Sequence, residues 1–187
     1  MFGIRFRPAG ITAFTRVPVG EFTDKHVELA LVETLFGDDF YEILYDFYEM
    51  PPGFHEALSE QWLARGIFQR LDDFLVSRLD RLYQPDRQVA RAVELICRAR
   101  GGLSMSAVAS DVCLCQRHFE RKFRRAIGIT PKMFARVARF TRAARCLQGR
   151  PRGDLLSVAV ECGYYDHAHL IKEFKMLSGD VPGAPRG

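Results

Sequence analysis

The sequence predicts a mostly α-helical protein built in two parts, and three observations carry that expectation. Apolar residues recur at three- and four-residue steps over most of the chain, the period of a helix with one buried face. Glycine and proline fall mainly between those runs, where they end helices. Charge is divided as well: residues 1–84 hold 8 Lys/Arg against 14 Asp/Glu, and residues 85–187 hold 19 against 9, so the halves carry −6 and +10. Such an asymmetry suggests two working parts, 1–84 and 85–187, the second facing a polyanion. A dipolar surface with no nucleic-acid role is the alternative that charge alone leaves open.

With 187 residues, 48% of them apolar, the chain can bury one large or two small cores. No run approaches the roughly 18 apolar residues of a membrane span. The first twenty residues contain Arg5, Arg7 and Arg16 with two prolines and no continuous apolar stretch, unlike a signal peptide, so a cytoplasmic protein is expected. The cysteines Cys97, Cys113, Cys115, Cys146 and Cys162 are odd in number and lack zinc spacing. They are expected to be reduced, most of them as small core residues, and no metal or cofactor is expected.

Gly3-Ile4-Arg5-Phe6-Arg7 alternates apolar and polar residues and reads as a short strand, followed by turns at Pro8, Gly10 and Pro18. From His26 the period becomes helical through Val27, Leu31, Leu35, Phe40, Ile43, Leu44 and Phe47, until Pro51-Pro52-Gly53. A second helical run carries Trp62, Ile67, Phe68, Leu71, Phe74, Leu75 and Leu79. Gln84-Pro85-Asp86 is the expected joint. This half offers no paired carboxylates, no Ser/His/Asp order and no phosphate loop. His26 and His55 stand alone, and no enzyme activity is expected.

The second half is more informative. A helix over about 86–100 places Val89, Ala92, Val93 and Ile96 on one face, and Gly101-Gly102 stops it. A short helix with Val108 and Ala109 follows, then a turn at Cys113, then a helix over 116–126 with Phe119, Phe123 and Ile127 inward and Gly128 behind it. This is a helix–turn–helix plan, which can lay its second helix in a major groove. Thr130-Pro131 opens a long helix, Thr as N-cap and Pro in the first turn, with Phe134, Val137, Ala138, Thr141, Ala144 and Leu147 as its apolar stripe. The plan then repeats. Asp154 caps a helix with Leu156, Val158 and Ala159, Gly163 supplies the turn, and Asp166 caps a helix burying Leu170, Ile171 and Phe174. The expected fold is therefore two helix–turn–helix units joined by a long connecting helix, preceded by a small helical or α+β region.

Three ordered motifs carry a family resemblance. The first is Arg117-His118-Phe119-Glu120-Arg121-Lys122-Phe123-Arg124-Arg125 with Gly128-Ile129-Thr130-Pro131-Lys132. The second is Val158-Ala159-Val160-Glu161-Cys162-Gly163-Tyr164-Tyr165-Asp166-His167-Ala168-His169-Leu170, continued by Phe174-Lys175 and Gly179-Asp180-Val181-Pro182. Between them stands Arg139-Phe140-Thr141-Arg142-Ala143. The span from about Arg87 to Pro182 resembles the DNA-binding domain of AraC/XylS-type transcriptional regulators. The resemblance implies two helix–turn–helix units binding double-stranded DNA as a pair, activation of transcription, and RNA polymerase as a partner. Gly3 to Gly10, with Phe22-Thr23-Asp24, resembles the tail of the sensor region in one branch of the family. The strand-rich part expected before it is not in this sequence. A truncation, a short natural form and a misplaced start each account for that, and residues 1–84 read as a sensor remnant that binds a small-molecule effector or forms a homodimer.

Helical spacing then nominates DNA-facing residues. With Phe119 and Phe123 inward, Gln116, Arg117, Glu120 and Arg121 face out. Arg117 and Arg121 can each engage guanine O6 and N7, and Glu120 can accept from cytosine N4 or orient either arginine. With Leu170 and Phe174 inward, His167, His169 and Lys172 face out, the histidines either on DNA or in capping and packing roles beside Asp166. Arg124, Arg125, Lys132, Arg136, Arg139 and Lys175 are phosphate candidates, with an internal ion pair as the alternative for Arg139. Six neutralised phosphates correspond to a log–log salt slope of about −5, at about −0.9 per contact. Two positions depart from the family pattern: Cys113 where a glycine usually makes the first turn, and Cys115 where a Ser or Thr usually caps. Cys115 at a helix N-terminus is open to oxidation, or is a drifted position without a role. The competing function is an interaction module whose basic half binds an acidic protein or RNA.

Overall fold

The computed structural model describes residues 6–14, 17–27, 42, 61–82, 86–148 and 154–182. The described residues are mostly helical and contain no strand. Of the strand expected at 3–7, residues 3–5 lie outside the described residues, and Phe6 and Arg7 are not in a strand. The helix expected between His26 and Phe47, and its stop at Pro51, also fall outside them, apart from residues 26, 27 and 42. Contacts divide the chain into two compact units. The first takes Met1–Asp86 with Arg125–Gly128, and the second takes Arg87–Arg124 with Ile129–Gly187.

The first unit contains two 3₁₀ turns, Gly10–Ala13 and Val19–Phe22, and helix α1, Gln61–Leu82. Among its described residues Ala13, Phe14, Leu71 and Phe74 are the buried apolar ones, and the Phe6 and Phe14 rings lie 5.4 Å apart. Phe68 and Leu79 of the expected apolar run are exposed.

The second unit begins with α2, Arg87–Arg98, whose Val89, Ala92 and Ile96 are buried as their spacing predicts. Arg100 and Gly101 both adopt positive φ and stop the helix, Gly101 N–H returning to Ile96 O at 2.9 Å. Ser104 then caps α3, Met105–Asp111, accepting the Ala107 N–H at 3.2 Å. Helix α4, Gln116–Ile127, follows, and α5, Pro131–Gln148, starts under a Thr130 cap that accepts the Met133 N–H at 3.2 Å. Helices α6, Leu155–Glu161, and α7, His167–Ser178, complete the unit. Asp166 caps α7 by accepting the His169 N–H at 2.7 Å. Asp154 occupies the corresponding position before α6 but accepts no such bond.

The two short-helix pairs are built on one backbone plan. Val112 and Cys162 donate to Val108 O and Val158 O, Cys113 and Gly163 to Ser110 O and Val160 O, and Leu114 and Tyr164 to Ala109 O and Ala159 O. The longer helices then align with one residue inserted in the second turn, so that Phe119 corresponds to Leu170 and Phe123 to Phe174. All four are buried. In the first lobe Phe123 meets Phe119 and Phe134 edge-on, with centroids 5.6 and 5.5 Å apart. In the second, Val158, Ala159, Cys162, Tyr164, Leu170 and Phe174 close around Ala143 of α5, with Phe140 and Leu147 against them.

The apolar stripe expected on α5 is therefore redrawn. Phe134 packs toward the first lobe while Phe140, Ala143, Ala144 and Leu147 pack on the second, and Thr141 is exposed, its hydroxyl donating back to Val137 O. A helix gripped along two faces cannot bury one continuous stripe. Its buried residues are the compact ones, Pro131, Ala135 and Ala143.

The two turns test the backbone requirement directly. Cys113 and Gly163 hold equivalent left-handed conformations, φ 54° and 78°. A side chain in that region costs roughly 1–2 kcal/mol, partly offset by the greater unfolded-state freedom of glycine. Cys113 is exposed, and a Cβ on Gly163 meets nothing within 4 Å, so packing does not enter. Cys113→Gly is expected to stabilise by about 1 kcal/mol and Gly163→Ala to destabilise by about as much. Thermal unfolding of both variants should show melting points moving in opposite directions.

Candidate nucleic-acid interface

Every α4 residue nominated for base contact is exposed: Gln116, Arg117, Glu120 and Arg121. Their position follows from the burial of Phe119 and Phe123, which leaves the opposite face of the helix to solvent. Gln116 Nε2 donates to Glu120 Oε1 at 3.2 Å, so the partner observed for this carboxylate is Gln116. On α7, His167, Ala168 and Lys172 are exposed, and the one-residue offset makes Lys172 the counterpart of Arg121.

His169 is more enclosed. Its ring stands edge-on to Tyr164 at 5.3 Å, its backbone N–H is held by Asp166, and Nδ1 accepts the Tyr165 N–H at 3.5 Å. Capping and packing are thus the observed engagements of His169.

The cationic candidates separate into two groups. Arg124, Arg125, Lys132 and Lys175 are exposed. Arg136, expected at a phosphate, is instead engaged inside the protein. Its Nη2 and Nε lie 2.7 and 3.1 Å from Glu173 Oε1, with Nε 3.3 Å from Oε2. Glu173 is the buried charged residue among those described, and a fork-shaped guanidinium suits it because it satisfies both oxygens at once. Arg139 likewise points inward, but to backbone rather than to a carboxylate: Nη1 donates to Gly163 O at 3.3 Å and Nη2 to Gly101 O at 3.2 Å. Its Cζ lies 5.5 Å from the centroid of the Tyr164 ring.

Spacing did not single out Lys122, yet it helps to hold α4. Its Nζ donates to Gln88 Oε1 at 2.6 Å, and Gln88 Nε2 donates to Val112 O at 2.9 Å, joining α4 to α2 and to the turn before α4. Its position beside Phe123 was the available signal. Arg142 pairs with Glu161 at 3.3 Å and Arg91 with Asp111 at 3.1 Å, tying α5 to α6 and α2 to α3. Cys115 is exposed, whereas the thiols that meet are Cys146 and Cys162, 4.0 Å apart. Burial above all pushes the Cys162 thiol up to about 11. Among the described residues no group of three His, Cys, Asp or Glu gathers to hold a metal, and no helix is long and apolar enough to cross a membrane.

Comparison with known families gives one match, a helix-turn-helix domain model of the AraC type, over residues 108–187. Residues 108–187 match an AraC-type helix-turn-helix domain. The AraC-type domain is a DNA-binding domain of transcription regulators, and it contains α4 through α7 with the exposed faces described above. No curated protein matches the chain, and no solved structure does.

Tyr164, at the centre of the second lobe, provides a pH test. Its hydroxyl is buried without a hydrogen-bond partner among the described residues. Burial, reinforced by Glu173, pushes its pKa from 10 up to about 12, against the opposing pull of Arg139 and Arg136. The folded protein therefore keeps a proton that the unfolded chain releases. The resulting stabilisation is complete below pH 10 and is lost as pH rises through about 12. Tyr164→Phe removes both this dependence and an unsatisfied hydroxyl whose desolvation costs roughly 1–3 kcal/mol. Denaturant titrations between pH 9 and 12 should find the variant more stable at neutral pH and its stability less steeply dependent on pH.

Proposed function

We propose that the chain is a sequence-specific transcriptional regulator, an activator, that lays α4 and α7 into successive major grooves of double-stranded DNA. One observation carries this reading. Two helices at equivalent places in a repeated plan each turn a polar face outward behind a buried pair, Phe119 and Phe123 on one, Leu170 and Phe174 on the other. Arg117 and Arg121 carry the bidentate donors that match guanine, with Gln116 and Glu120 beside them. Lys172 and His167 take the equivalent part on α7, and His169 supports its first turn. The 18 residues of α5 extend about 27 Å, which suits lobes that reach grooves about 34 Å apart, a shortfall being met by bending the DNA.

In this reading residues 85–187 bind DNA in the cytoplasm and residues 1–84 are the regulatory region, through a small-molecule effector or homodimerisation. RNA polymerase is the partner that activation requires. Arg124, Arg125, Lys132 and Lys175 neutralise phosphates, while Arg136 and Arg139 are withdrawn from that group because their guanidinium groups are engaged internally. Four phosphate contacts correspond to a log–log salt slope of about −3.6, where six would give about −5.

Selection of a random duplex library on the purified protein at near-physiological salt tests the proposal. The expected product is a motif of two boxes about one helical turn apart. Arg121→Ala and Lys172→Ala should each weaken one box, by roughly 1–3 kcal/mol for a bidentate contact at Arg121 and less for the single ammonium. Binding that depends on salt but enriches no sequence would overturn the proposal in favour of a basic interaction module.

A further inference from the structure

We infer that Arg139 is the positioning residue that sets the orientation between the two helix–turn–helix lobes, and through it the box spacing the domain accepts. The second part of this inference rests on the two-helix reading of DNA proposed above.

Arg139 lies midway along α5, and its guanidinium is shared between the lobes. Nη2 donates to Gly101 O in the α2–α3 connection, and Nη1 donates to Gly163 O in the α6–α7 turn. Both bonds are assisted by the delocalised guanidinium charge and come from one rigid plane, so the two carbonyls are constrained in angle as well as distance. The Gly163 side continues toward the DNA-facing helix. Tyr164, next in the chain, has its ring beneath the guanidinium and edge-on to His169 in the first turn of α7. A short series of contacts therefore leads from the first lobe to the start of α7.

The Gly101 side is equally restricted. A Cβ on Gly101 would collide with Ala135 O, so the α2–α3 connection lies directly on the α5 backbone one turn before Arg139. Meanwhile Nε of Arg139 is buried without a partner among the described residues. A guanidinium that leaves one donor unsatisfied in order to reach two carbonyls is placed for the bridge. Each lobe has its own buried side chains, Phe119 and Phe123 in one, and Val158, Leu170 and Phe174 in the other. Losing the bridge should loosen their mutual orientation while leaving each lobe folded.

Arg139→Lys isolates this role, because it keeps the charge but replaces the fork with a single ammonium that cannot hold two carbonyls at a defined angle. The first measurement needs no DNA. Residual dipolar couplings of the α4 and α7 amides, recorded on the full chain, should fit one alignment tensor in the wild type and require two in the variant, with helicity by circular dichroism unchanged. The second uses duplexes carrying the selected boxes with the interval varied one base pair at a time. The wild type should prefer one interval by at least about tenfold, and the variant should spread its binding to within about threefold, while its affinity for a duplex with one box stays at the wild-type level. One tensor in the variant, an unchanged interval preference, or loss of the fold would each overturn the inference. If the wild type selects no two-box motif, the DNA reading fails, and the tensor comparison still decides whether Arg139 orients the lobes.

Discussion

Each twelve-residue helix of the two lobes must bury a pair of large apolar side chains four residues apart, and the rest of the second unit is arranged around that requirement. Residues four apart share a helix face, so burying Phe119 with Phe123, or Leu170 with Phe174, determines which side chains remain in water. A seven-residue helix and a left-handed turn residue bring the chain back at the angle that covers each pair. Gly163 adopts that turn freely. Cys113 adopts it against the preference of a residue with a Cβ, and the same backbone hydrogen bonds hold both.

The basic character of this half conceals a division of labour. Some of its arginines serve the protein rather than a partner: Arg136 neutralises the buried Glu173, Arg142 pairs with Glu161, and Arg139 satisfies carbonyls of two loops. These three lie on α5, the helix that touches both lobes, and each reaches a different element. Exposed cations include Arg117, Arg121, Arg124 and Arg125 on α4, Lys132 opening α5, and Lys172 and Lys175 on α7. Net charge alone overstates what the domain can offer to DNA, because an arginine locked in a buried pair contributes little to phosphate neutralisation.

Legibility in the sequence varied with the range of the physics. The helices from α2 to α7 were readable from their period, helped by local punctuation at Gly101, Thr130-Pro131 and Asp166, which act on backbone groups within a few residues of themselves. The exposed faces of α4 and α7 followed from the same period. The bond from Arg136 to Glu173 was not legible, because Glu173 is thirty-seven positions away and no local pattern connects them. The stripe on α5 was misjudged because a period assumes one buried face, whereas this helix is held along two.

What the sequence determined by itself is what local rules can decide: where the helices begin and end, and which residues on α4 and α7 oppose their buried faces. The tertiary structure alone decided which cations remain free. It also decided that Cys146, not Cys115, meets another thiol, and that Arg139 spans two loops. The physical reason is one of distance along the chain. Caps, turns and helical periods are complete within about four residues, while ion pairs, thiol contacts and bridges to distant carbonyls exist only after folding brings their partners within reach.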